Sequence, residues 1–221
     1  MQVARQKEAT LYPISLKLEG RLCLVVGGGP IALRKAGELL ACGARVRVVA
    51  PEWPADFSAL DGRDGLSRIT RRFTSENLDG VFLVIAATDD PKTQAEVSRE
   101  AEARSLLCNV VDVNRLCSFY VPATLRRGAL AVSVATDGKF PILAVALRDW
   151  LAGRIGPQLG PALERLAEAR KAVRRFHPGD PARRATLLNA LLTPEALADL
   201  LEDRLDAFEV HRRTWQSSLL G

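Results

Sequence analysis

Between Arg21 and Glu52 the chain reads RLCLVVGGGPIALRKAGELLACGARVRVVAPE, a short β-branched apolar run that passes into an amphipathic helix through three consecutive glycines. Few folds accept that order of elements. The run "RLCLVV" is strand-like. In "ALRKAGELLACG" one helical stripe carries Ala32, Leu33, Ala36, Leu39 and Leu40, while Arg34, Lys35 and Glu38 turn outward. Gly43 ends the helix, and "ARVRVVAP" alternates as a second strand until Pro51 stops it.

The same alternation continues. "LSRITRRF" reads as a weaker edge strand, and "VFLVIAA" is the uninterrupted apolar run that a parallel sheet buried on both faces needs. In "TDDPKTQAEVSREAEARS" Asp89 or Asp90 caps a helix with Pro91 in its first turn, and "LLCNVV" returns as a strand. Strand, helix and strand repeated with right-handed crossovers predict an α/β, Rossmann-like, doubly wound parallel sheet.

After Asn114 the pattern changes. "LCSFYVPA" and "ALAVSVATDG" read as two further strands and "PILAVALRDWLAGRI" as a helix; from Gly156 on, the chain reads as helices broken at "HPGDP" and "LLTP". These shifts predict a dinucleotide-binding domain over 1–115, a small α+β segment over 116–155 and a helical C-terminal domain over 156–221.

Composition narrows the function classes. The 221 residues, 48% of them hydrophobic, suffice for a sizeable core. The N-terminal "MQVARQKEATLYP" lacks the apolar region of a secretory signal, and no apolar run spans a bilayer, so a cytoplasmic protein without membrane contact is expected. The four cysteines show no CxxC pair, and only His177 and His211 are available; we expect reduced thiols that mostly fill the core, and no resident metal. A formal net charge of +5 suits an anionic ligand, yet the basic clusters lack the aromatic interleaving of a nucleic-acid groove.

Gly27, Gly29 and Ala32 fit the pattern G-x-G-x-x-G/A, preceded by a strand and opening a helix. The first glycine permits a tight turn, the second lets backbone approach a pyrophosphate, and the small third residue lets helix pack on strand. Free N–H groups and the positive end of the helix dipole then face the phosphates. Pro30 removes one donor from that turn, although its fixed φ suits a first helical position. The acid that grips the adenosine ribose belongs at the end of the second strand, where the chain reads "VVAPE"; Glu52 stands just beyond, with no arginine at the strand end for a 2′-phosphate. NAD is therefore the expected cofactor. Thr88 and Asp89 end the next buried strand beside the crevice where the sheet reverses, which makes them candidate cofactor contacts, with a plain helix cap as the alternative for Asp89.

Four blocks in this order, "LYPISLKLEGRLCLVVGGGPIALRKAGELLACGARVRVVAPE", "GVFLVIAATDDP", "CNVVDVNRLCSFYVPA" and "LAVSVATDGKFPILAVALRDWL", resemble the precorrin-2 dehydrogenase family, the dehydrogenase/ferrochelatase part of siroheme synthases. The resemblance runs from about Leu11 to Leu159. It implies NAD-dependent oxidation of precorrin-2 to sirohydrochlorin, with insertion of iron as a second activity in some members, and a form without the fused methyltransferase. It implies nucleotide contacts at Pro30, Ile31, Pro51 and Glu52. It also implies that Asp112, which closes the strand "CNVVD", is the catalytic aspartate, a carboxylate able to take the proton released as a hydride leaves the macrocycle.

On the substrate side the resemblance sets Thr136 where some members carry a serine near the tetrapyrrole, and an N-terminal cap is the alternative there. Asn109 is a candidate to orient the loop of Asp112. Because precorrin-2 bears eight carboxylates, a basic rim is expected, with Arg115, Arg126, Arg127 and Lys139 as candidates. The resemblance further implies a homodimer built through residues 116–155, consistent with a two-strand segment that covers a hydrophobic face poorly by itself. A nucleotide-sensing regulatory domain is the rival from another class; it gives no reason for "NVVD" and usually accompanies a DNA-binding or channel segment, which the sequence lacks.

Overall fold

A computed structural model describes residues 10–217 of the chain. The backbone divides into two compact units, Met1–Tyr120 and Val121–Gly221. The first unit runs β1 (Leu22–Val26), α1 (Pro30–Ala41), β2 (Arg45–Ala50), β3 (Leu66–Thr70), β4 (Leu83–Ala86), α2 (Pro91–Ala103) and β5 (Leu107–Val110). All five strands are parallel, in the order β3-β2-β1-β4-β5. The order reverses between β1 and β4, which gives the sheet a crevice at the carboxyl ends of those two strands. This is the doubly wound architecture that the sequence predicts, with β3 as the edge strand.

Side-chain parity explains the apolar runs. In β1 and β4 the residues Cys23, Val25, Leu83 and Ile85 face one core with Ala32, Ala36 and Leu39 of α1. Their neighbours Leu24, Val26, Val84 and Ala86 face the opposite core with Val97 and Ala101 of α2. Both faces of the central strands are therefore covered, and polar residues have no place in them. Two crossovers depart from the helical expectation: 3-10 turns at Ala55–Leu60 and Ser75–Leu78 stand where α-helices are usual. The latter is held by Asn77, whose Oδ1 accepts from the Thr74 N–H at 2.9 Å.

One outward assignment is overturned. Lys35 is buried, at 8% exposure, rather than turned to solvent with Arg34 and Glu38. Its stem lies along the packed side of α1 and its Nζ reaches Glu38 at 2.8 Å, an arrangement a long aliphatic cation allows. Gly43 ends α1 as expected, at φ +77°, with its N–H donating to the Leu40 carbonyl.

The second unit opens with a hairpin, β6 (Ala123–Arg127) and β7 (Leu130–Val134), followed by α3 (Pro141–Ala152), α4 (Leu159–Phe176), α5 (Pro181–Leu191), α6 (Pro194–Leu201) and α7 (Leu205–Ser217). Gly128, at φ +58°, occupies the first central position of the two-residue hairpin loop, where a type II′ turn wants glycine. The strand read into "LCSFYVPA" begins later, at Ala123. Residues 117–119 are instead tied to β5: the Ser118 N–H donates to the Cys108 carbonyl at 2.8 Å, and the Cys108 N–H donates back to the Ser118 hydroxyl at 2.8 Å.

The breaks at "HPGDP" and "LLTP" separate α4, α5 and α6 as the sequence suggests. Asp180 caps α5 and Thr193 caps α6, each accepting a backbone N–H three residues on. Val173, Leu187, Leu191 and Trp215 form one core of this helical part, and the Trp215 indole donates to the Leu187 carbonyl at 2.7 Å. On α3, by contrast, only Ala144 is buried, while Ile142, Leu143, Val145, Leu147 and Trp150 are exposed. Among the described residues no helix is long and apolar enough to cross a membrane.

Candidate functional site

The glycine turn lies at the carboxyl end of β1, beside the crevice, and each glycine answers a different constraint. Gly27 has φ +125° and donates its N–H to the Val49 carbonyl at 2.9 Å. A β-carbon there would stand 2.2 Å from the Ala87 carbonyl oxygen. At Gly28 a β-carbon would come within 2.5 Å of the Glu52 carbonyl oxygen. At Gly29 it would meet nothing within 4 Å.

Gly29 is the N-cap of α1, in an extended conformation and with no side-chain cap, and Pro30 follows at the first helical position. The first intrahelical donor is Leu33, bonded to the Gly29 carbonyl at 3.0 Å, so the N–H groups of Ile31 and Ala32 have no acceptor within the helix. Open space over Gly29 beside uncapped helix donors is what a pyrophosphate requires. The residues present therefore fit a dinucleotide.

The tip of β2 supplies the neighbouring wall. Ala50 is buried, and Pro51 and Glu52 are exposed. Trp53 fixes the chain just beyond: its indole N–H donates to the Thr70 hydroxyl at 2.8 Å and its ring packs on Phe57 at 4.8 Å. The Glu52 backbone is thereby held against Gly28. Gly28 was not among the residues singled out from the sequence; the signal for it is the middle glycine of the three, whose requirement comes from the Glu52 backbone just past the end of β2.

At the tip of β4, Ala87 prolongs the ladder by donating to the Val26 carbonyl at 2.7 Å. Thr88 follows, its carbonyl accepting from the Gln94 amide at 2.7 Å and its hydroxyl from the Asp90 N–H at 3.3 Å. The cap of α2 is Asp90 rather than Asp89. Its carboxylate accepts from the Thr93 hydroxyl at 2.6 Å and from the N–H groups of Lys92 and Thr93, bonds that hold it below the ordinary carboxylate range. Asp89, relieved of the cap, is exposed beside the crevice.

At the tip of β5, Val111 donates to the Ala86 carbonyl at 3.0 Å, and the chain then reverses through a turn closed by the Val113 N–H on the Val110 carbonyl at 3.2 Å. Asp112 is the third residue of that turn, exposed and at φ +61°, a left-handed conformation uncommon for residues other than glycine, although aspartate and asparagine tolerate it better than most. Its carboxylate is thus carried on the same end of the sheet as the glycine turn. Asn109 lies below it in β5, with its amide donating to the Phe119 carbonyl at 3.0 Å, so it anchors the chain that returns from the Asp112 turn.

The remaining candidates stand on other elements. Arg115 borders a groove of about 380 Å³ along the outer side of β5, with Ser98, Glu102 and Ser105. Thr136 and Lys139 belong to the second unit, at the two ends of a turn whose central residues Asp137 and Gly138 both have positive φ. The Thr136 hydroxyl accepts from the Phe140 N–H at 3.4 Å just ahead of α3. Arg127 commits its guanidinium to the carbonyls of Ala152 and Ile155 at the end of α3.

The cysteines divide by place. Cys23 and Cys108 are buried in the two cores, and burial pushes their thiols up to about 11 and about 12. Cys42 is exposed and Cys117 half-buried.

Residues 14–123 match the NAD(P)-binding family. The chain is 43% identical over 184 residues to a siroheme synthase of Pseudomonas entomophila, covering 83% of this chain and 40% of that protein. It is 37% identical over 219 residues to a siroheme synthase of Pseudomonas paraeruginosa, covering 95% of this chain and 47% of that one. The chain thus spans less than half the length of these curated relatives. Among solved structures it superposes on SirC, a precorrin-2 dehydrogenase, with a TM-score of 0.75 and 26% identity, covering 95% of this chain and 98% of the other.

Proposed function

We propose that the chain is an NAD-dependent dehydrogenase that oxidises precorrin-2 to sirohydrochlorin, a reading supported by the match of residues 14–123 to the NAD(P)-binding family and by the likeness to siroheme synthases. The observation that carries this reading is the near full-length correspondence with the precorrin-2 dehydrogenase SirC. The crevice geometry supports it: open backbone over Gly29, uncapped donors at Ile31 and Ala32, and the Asp112 carboxylate at the same end of the sheet.

Gly27, Gly29, Pro30 and Ile31 would receive the pyrophosphate, and the exposed Glu52 carboxylate beside Pro51 would accept the ribose hydroxyls. Thr88 and Asp89 border the crevice from β4. Bound NAD would supply the hydride acceptor. Asp112 then has one task, to take the proton that the macrocycle gives up as its hydride leaves, so that precorrin-2 and NAD yield sirohydrochlorin, NADH and a proton. Asn109 steadies the Asp112 loop, and Arg115, Thr136 and Lys139 are the candidates to meet the substrate carboxylates and their surroundings.

A second copy of the chain is the partner we assign to α3, whose apolar residues Ile142, Leu143, Val145 and Trp150 are exposed together; an isologous contact would cover them in both copies. The cytoplasm is the location we assign, in keeping with the use of NAD.

Because the curated relatives are siroheme synthases, insertion of ferrous iron is the second reading, with the exposed Asp112 carboxylate positioned to accept pyrrole protons. Anaerobic precorrin-2 with NAD, followed optically, tests the first: sirohydrochlorin and NADH appear together in equal amounts, and absence of both overturns the proposal. Sirohydrochlorin and ferrous iron without NAD test the second, which requires siroheme above the uncatalysed rate.

A further inference from the structure

We propose that Cys117 is the positioning residue of Asp112, its sulfur fastening both ends of the turn that carries the carboxylate. The Cys117 sulfur lies 3.2 Å from the Val110 N–H nitrogen and 3.2 Å from the Val110 carbonyl oxygen. It also lies 3.5 Å from the Val113 carbonyl oxygen. Val110 and Val113 are the first and last residues of the four-residue turn in which Asp112 is third. One side chain therefore grips the turn where it leaves β5 and where it ends.

The contacts matter because of the conformation they enclose. Asp112 at φ +61° is disfavoured relative to an ordinary backbone, and such a residue persists only where its surroundings over-determine it. The turn's own closure is a single backbone bond, from Val113 to Val110. A sulfur that both accepts from Val110 and donates toward a carbonyl supplies the rest. The chain brings it there by a short return: Leu116 donates to the Val113 carbonyl at 3.0 Å and Cys117 to the Asn114 carbonyl at 3.1 Å.

The Asn109 amide, 3.6 Å from the sulfur and bonded to Phe119, holds the returning segment from the other side. Burial pushes the Cys117 thiol up, so it remains an S–H donor near neutral pH and is not a reactive thiolate.

The inference rests on the reading of Asp112 as the proton acceptor, and the test separates the two. Cys117→Ala and Cys117→Ser are compared with wild type in the full chain, with Asp112→Asn alongside. Three quantities are read: the number of NAD-binding sites by titration, kcat per such site, and hydrogen exchange at the Val113 amide. For Cys117→Ala we expect unchanged NAD affinity, faster exchange at Val113, and kcat per site lowered about tenfold or more, the scale on which small misplacements of a reacting group act. Cys117→Ser, which keeps a donor and an acceptor at the position, restores both exchange and kcat.

Counting NAD sites removes any contribution from unfolded protein. Wild-type exchange at Val113 in Cys117→Ala, wild-type kcat per site, or failure of serine to rescue overturns the proposal. Wild-type turnover in Asp112→Asn overturns the parent reading instead, and is visible without reference to Cys117.

Discussion

Gly27 stands so close to Ala87 that a β-carbon on the glycine would lie 2.2 Å from the Ala87 carbonyl oxygen. The contact joins the ends of β1 and β4 at the point where the sheet reverses. Gly27→Ala meets both this backbone and a φ of +125°, and should lower stability by about 3 kcal/mol or more. Urea denaturation checks this, with a displaced midpoint and an unchanged slope.

Gly29 has the opposite character, since its absent side chain faces open space. Gly29→Val should fold with a midpoint near that of wild type while its NAD dissociation constant rises by at least roughly tenfold, equivalent to about 1.4 kcal/mol. Titration by fluorescence or calorimetry distinguishes this from a folding defect, and an unaltered isotherm would contradict the assignment of the turn.

Asp112→Asn retains the turn, because asparagine tolerates the left-handed region as well as aspartate does. It removes only the charge and the proton-accepting oxygen. The expected result is normal NAD binding with kcat for NADH formation from precorrin-2 reduced about a hundredfold or more.

The Asp90 cap predicts an acid-side effect of definite sign. Its pKa is lowered from the ordinary 3.8 by bonds to Thr93 and Lys92 in the folded state, so its stabilising contribution is complete above that value and is lost as pH falls through the lower, folded value. Between neutral pH and that window, wild type exceeds Asp90→Ala in Tm. Below it the difference narrows. Thermal unfolding of the pair across acid pH provides the measurement.

For the exposed face of α3, Ile142 is the sharpest probe because it is 73% exposed and contributes little to the fold of its own chain. Ile142→Asp should change the stability of a single copy by no more than about 0.5 kcal/mol. If α3 carries the proposed dimer contact, light scattering gives two copies for wild type and one for Ile142→Asp; a single-copy wild type, or an unchanged mass in the variant, contradicts that contact.

Much of this architecture is legible in the sequence because the relevant signals are local. The apolar runs at 22–26 and 83–86 announce strands covered on both faces, and "GGGP" between strand and helix announces the turn. The residues that escaped notice answer to neighbours that only the folded backbone brings into contact. Gly28 is required by the Glu52 backbone, and Lys35 is buried by the packing of α1 with its head drawn to Glu38. The left-handed conformation of Asp112 has only a weak sequence mark, the aspartate itself in "VVDV", a residue that tolerates this region but also serves in ordinary loops and caps. Cys117 read as core filler because a thiol's hydrogen bonds depend on which carbonyls the fold brings to it. The late start of β6 has the same origin: "CSFY" has strand composition, but its groups bond β5 through one backbone bond, from Ser118 to Cys108, and otherwise through side chains.

That bonding has a consequence for the chain's behaviour at high concentration. The outward N–H groups of Cys108 and Val110 are capped by a hydroxyl and a thiol from Ser118 and Cys117, which leaves no bare ladder for another polypeptide to template on. Along β5 an incoming strand would therefore have to displace two existing side-chain bonds before it could pair.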